Sequence, residues 1–78
     1  MNPIQCRMAR SALSLTTADL AALADVGVNT VNRFEAGQDA RLSSVAKMQV
    51  ALEKAGIEFI AENGGGAGVR LKKRAGKK

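Results

Sequence analysis

Residues 15–37 read LTTADLAALADVGVNTVNRFEAG, and the fold turns on this stretch. Thr16 and Asp19 stand at the Thr-x-x-Asp spacing of a capping box, in which each side chain receives the backbone N–H of the other, directly ahead of Leu20, Ala21, Leu23 and Ala24. A short helix over Thr17 to Ala24 follows from that spacing. Asp25, Val26 and Gly27 cannot comfortably continue it, and Gly27 is a permissible N-cap for a third segment with Val31 and Phe34 inward. Gly37 then ends that segment as a C′ glycine. Two short helices joined by a three-residue turn are a helix-turn-helix layout, and Ala21 supplies the small residue needed where two helices cross closely.

Upstream, Asn2 precedes Pro3 at a first helical position, with Gln5 three residues after Asn2, so a reciprocally capped helix 1 is predicted from about Pro3 to Leu13. Cys6, Ala9 and Leu13 share one face of it, together with Arg10; Met8, Ala12 and Leu15 make a second apolar stripe. Downstream, Gln38 to Leu42 is a polar loop. Ser43 or Ser44 is expected to cap a fourth helix whose Val45, Met48 and Leu52 repeat at i, i+3, i+7, and Gly56 stops it.

Beyond Gly56 the period becomes two. Ile57, Phe59 and Ala61 alternate with Glu58, Ile60 and Glu62; Asn63 to Gly68 reads as a flexible turn; Val69 and Leu71 alternate with Arg70 and Lys72. A lone two-stranded hairpin is marginal in water, so this strand pair is expected either to pack on the helices or to pair with another chain. The predicted organisation is a helical domain over 1–56, a strand pair over 57–73 as a candidate dimerisation element, and a basic disordered tail over 74–78.

The chain has 78 residues and a net charge of +5, from 12 Lys+Arg against 7 Asp+Glu. That length holds one domain. Six of the cations (Arg70, Lys72, Lys73, Arg74, Lys77, Lys78) fall at 70–78 with no acid, so residues 1–69 carry six cations against seven acids. The body is not basic, and any polyanion must be met by a few placed cations and helix ends, with the tail adding long-range attraction. Cys6 is the single cysteine and there is no histidine, which excludes an internal disulfide and an ordinary His/Cys zinc site. A reducing cytoplasm fits best. No apolar run approaches the roughly 20 residues of a membrane span, and residues 1–15 interleave Arg7 and Arg10 with polar residues, unlike a secretory signal.

With these residues in place, the chain resembles the phage repressor and Cro family of helix-turn-helix DNA-binding proteins, also called the XRE family, over about residues 5–56. The motif at 15–37 and the SSVAKMQVALEKAG helix at 43–56 carry the likeness. The resemblance implies a mostly α, four- to five-helix lambda-repressor-like bundle, here followed by a short C-terminal β-hairpin or strand pair. It also implies an ion pair between Arg10 and Glu35, which match an Arg near the end of helix 1 and a Glu near the end of helix 3. One departure is Asp25, where the family often has a turn glycine; Asp tolerates left-handed backbone better than most residues.

With Val31, Phe34 and Glu35 inward, Val28, Asn29, Asn32 and Arg33 lie on the outer face of the third helix. They are the candidates for base readout: Asn pairs bidentately with adenine, Arg with guanine, and Val28 touches a thymine methyl. Thr17, Gln38, Arg41, Ser43 and Ser44 are the candidates for phosphate contact, through hydroxyls, helix-end N–H groups and a guanidinium. Ile57, Phe59, Val69 and Leu71 are the candidates for a dimer interface, with Leu42, Met8 and Leu15 as competitors. The expected function is a small sequence-specific transcriptional regulator that binds double-stranded DNA as a homodimer on a palindromic operator. No catalytic residue, metal or other cofactor is expected, since the chain lacks His, a usefully spaced acid pair and a Gly-rich phosphate loop. The alternative from another class is a protein-interaction module, an antitoxin or antiactivator that keeps the fold and holds a regulatory protein partner; the near-neutral body is its support.

Overall fold

The computed structural model describes residues 1–72; the basic tail expected over 74–78 lies outside them. Helix α1 runs Pro3–Ala12, and both halves of its capping box are made: the Gln5 backbone N–H donates to Asn2 Oδ1 at 2.8 Å, and the Asn2 N–H to Gln5 Oε1 at 2.9 Å. Helix α2 runs Thr17–Ala24 and opens with the second box, in which the Thr16 N–H donates to Asp19 Oδ2 and the Asp19 N–H to Thr16 Oγ1, each at 3.0 Å. Those Thr16 donors hold the Asp19 carboxyl below the usual carboxylate range. Helix α3 spans Val28–Glu35 from an N-cap at Gly27, and helix α4 spans Leu42–Lys54.

Three of the helices end by one device. After α1, α2 and α3 a single residue turns left-handed (Ser14 at φ 59°, Asp25 at φ 57°, Gly37 at φ 84°), and the next N–H reaches back to a carbonyl five residues earlier. Those bonds are Leu15 to Arg10 at 2.9 Å, Val26 to Ala21 at 3.0 Å and Gln38 to Arg33 at 2.9 Å. They satisfy carbonyls that the helix ends would otherwise leave open. Only Gly37 adopts that backbone without steric cost.

The expected serine cap of α4 is corrected. The helix begins at Leu42, one residue earlier than Ser43, with Arg41 as N-cap in extended backbone, and no side chain caps it. The Arg41 carbonyl already accepts the Val45 N–H at 3.0 Å, which places Ser43 and Ser44 inside the first turn.

The core gathers Cys6 and Ala9 of α1, Leu20, Ala21 and Ala24 of α2, Val31 and Phe34 of α3, Met48 and Leu52 of α4, and Ile57. Each fully buried large side chain contributes about 2 kcal/mol by leaving water. Strands β1 (Ile57–Ile60) and β2 (Gly68–Leu71) pair antiparallel, with Phe59 opposite Val69 and Glu58 opposite Arg70. The latter pair forms a forked salt bridge, both bonds 3.1 Å, on the exposed side of the hairpin. Of the two outcomes expected for the hairpin, packing on the helices is the one observed: Ile57 is fully buried, and Phe59 and Val69 are half-buried against the core. Gln5 fastens it, its Nε2 donating to the carbonyls of Ile60 (3.2 Å) and Gly68 (3.0 Å), which face each other across the two strands. The architecture is mostly α with a short C-terminal β-hairpin, and no helix among the described residues is long and apolar enough to cross a membrane.

Candidate nucleic-acid interface

Helix α3 is rotated so that Val31, Phe34 and Glu35 point inward. A 3.6-residue period then forces Val28, Asn29, Asn32 and Arg33 outward, and all four are exposed. The rotation is locked at Glu35. Arg10 grips that carboxylate with two bonds, Nε to Oε2 at 2.9 Å and Nη2 to Oε1 at 2.8 Å, while its Nη1 donates to the Leu15 carbonyl at 3.0 Å. The Arg10–Glu35 pair implied by the resemblance is therefore present, and it joins α1, the α1–α2 turn and α3. Cys6 adds a third donor, its Sγ lying 3.3 Å from Oε2. Burial, and then the Glu35 hydrogen bond, push the Cys6 thiol up to about 12, while its hydrogen bond to Glu35 raises Arg10 further above its already high value. With such a thiol, Cys6 is a packing and hydrogen-bonding residue rather than a nucleophile.

Beside α3, Thr30, Arg33, Asp39, Ala40, Arg41 and Ser44 line a polar cleft. Arg33 leans into it, with Nη2 3.4 Å from the Asp39 carbonyl, a long and weak bond that a stronger acceptor can displace. Two guanidinium groups, two hydroxyls and the uncapped first turn of α4 thus surround one concavity. That set suits a phosphate: N–H groups of a helix N-terminus, a partial positive charge and forked donors. The structure brings Arg41 and Ser44 of the expected phosphate set together there, and it moves Arg33 from the company of Asn29 and Asn32 towards them. Gln38 and Ser43 are exposed nearby in sequence, and Thr17 stands half-buried at the first position of α2. Thr30 is not among the residues expected from sequence; its spacing of three from Arg33 puts both on one side of α3, which was the available signal.

The expected interface residues separate. Ile57 is corrected: it lies in the core at 0% exposure and has no surface to offer a second chain. Phe59 and Val69 are half-buried, and Leu71 is 57% exposed. Of the competitors, Met8 and Leu15 are half-buried, whereas Leu42 stands 89% exposed at the start of α4, next to the polar cleft. Among the described residues no three Cys, Asp or Glu side chains come together as a metal site would require. Comparison with protein-family models and with curated proteins returns no match.

Proposed function

We propose that this chain is a sequence-specific regulator of transcription that binds double-stranded DNA as a homodimer on a palindromic operator in the cytoplasm. One observation carries the reading: α3 exposes Val28, Asn29 and Asn32 on one face while Arg10, Cys6 and Glu35 fix its rotation from behind. The resemblance of residues 5–56 to phage repressors and Cro supports the same reading. Asn29 and Asn32 read adenine edges in the major groove, Val28 meets a thymine methyl, and the cleft of Thr30, Arg33, Arg41 and Ser44 seats a backbone phosphate. Thr17, Gln38 and Ser43 flank that seat. Leu42 is the apolar side chain best exposed to serve the dimer, ahead of Leu71.

Selection from random duplexes by gel shift is the test. An enriched, two-fold symmetric motif is expected, and Asn32→Ala is expected to relax preference at one base pair in each half-site by about 1–3 kcal/mol while leaving the fold intact. Arg33→Ala is expected to weaken all duplexes alike and to shrink the slope of log K against log salt by about 0.9. Binding without any enriched motif, or an Asn32→Ala variant with unaltered preference, overturns the reading.

A further inference from the structure

Away from α3, Leu23 of α2 and Val50 of α4 are 58% and 47% exposed, and they flank a groove of about 370 Å³ floored by Ala46 and Ala51. The volume is at the small end of ligand and anchor pockets, enough for one or two large apolar side chains. Lys47 and Lys54 line it as well, three before and four after Val50, so both flank the apolar strip on α4. No acidic residue is among those that line it. We propose that this groove docks an amphipathic helix of another protein, one that presents apolar anchors at i and i+4 flanked by Asp or Glu.

The charge selects this occupant over two others. Residues 73–78 bring Lys73, Arg74, Lys77 and Lys78, which repel the two groove lysines. A second copy seated symmetrically would set Lys47 and Lys54 against the same lysines, an arrangement that like-charge repulsion disfavours. An acidic helix pairs with both lysines while its leucines cover Leu23 and Val50, the apolar contact supplying affinity and the rim charges orientation and on-rate. The proposal does not depend on DNA binding, because the groove shares no residue with α3 or with the polar cleft.

A displayed library of helical peptides with randomised faces, selected on the full-length protein and counter-selected on Leu23→Glu, tests it without DNA present. Enriched peptides are expected to carry Leu or Phe at i and i+4 with acidic neighbours. By fluorescence anisotropy their affinity is expected to fall about tenfold or more with Leu23→Glu and with Lys47→Glu/Lys54→Glu. A peptide with Lys in place of its acids is expected to bind that double variant and not the parent. Leu23, Lys47, Val50 and Lys54 are exposed, and matching thermal melts establish that the variants fold. Enrichment of basic peptides, no enrichment, or failure of the charge swap overturns the proposal. A self-association seen by sedimentation equilibrium and abolished by Leu23→Glu assigns the groove to a second copy and overturns it equally.

Discussion

Arg10 and Glu35 leave almost no room for a partial change. Glu35 is 8% exposed and Arg10 22%, so Arg10→Met strands a carboxylate whose remaining donor is a thiol, and a loss of about 3 kcal/mol is expected in a thermal or urea melt. Arg10→Met with Glu35→Leu is expected to recover most of it; the remainder reflects the Leu15 carbonyl, which loses its guanidinium donor. Ser14 and Asp25 point the other way, since each holds a left-handed backbone that costs an L-residue about 1 kcal/mol. Ser14→Gly and Asp25→Gly are each expected to raise Tm by roughly 4–8 °C for a domain of this size. The Asp25 conformation was legible, because the resemblance marks that position as a turn; Ser14 carries no such mark, and only the helix-end hydrogen bonds reveal it. Cys6 yields a pH prediction. Its thiol is raised to about 12 in the fold against 9.0 unperturbed, so the stability it lends is whole below pH 9 and is lost as pH rises from there towards 12. Cys6→Ala is expected to flatten that part of the stability curve, and a thiol reagent at pH 8 is expected to react no faster than the chain opens.

At the scale of elements, Gln5 does two jobs, and the sequence announced one. Its spacing from Asn2 marks a capping box, and nothing in a linear pattern marks a side-chain amide that meets the carbonyls of Ile60 and Gly68 55 and 63 residues on. Gln5→Ala is expected to cost about 1–3 kcal/mol and to speed hydrogen exchange at the strand amides of 57–60 and 68–71. Asn2→Ala, which breaks the box alone, is expected to cost about 1 kcal/mol and leave strand exchange unaltered. Helix positions, the inward set on α3 and the alternation of the strands were legible because each rests on a local period or a local cap. The side on which the hairpin buries Ile57 was not, since alternation states that a face is apolar without naming what covers it. Nor was the start of α4, where Arg41 takes by backbone geometry the place that two serines advertise by side chain.

For the whole molecule, the hairpin settles within one chain the apolar face that the sequence offered to a partner, and this changes how dimerisation is to be tested. Leu42→Glu is expected to shift a dimer towards monomer in sedimentation equilibrium and to cut affinity for a full palindrome far more than for a half-site. Leu71→Glu is the comparison, and a greater effect there returns the interface to the strands. Removing residues 73–78 takes away four cations and is expected to weaken all duplexes together, with a salt slope smaller by up to about 0.9 for each phosphate that the tail no longer neutralises. The Gln5 fastening also sets an order of events during synthesis. Helices α2, α3 and α4 meet near neighbours in the chain, whereas α1 must wait for residue 68 before its amide finds a second acceptor. At about 5–20 residues per second that wait is roughly 3–13 seconds, during which the nascent chain exposes the α1 side that later receives the hairpin. A ribosome stalled before Gly68 therefore holds a chain whose earliest helix is its last to dock, open to chaperones and proteases at its N-terminal end.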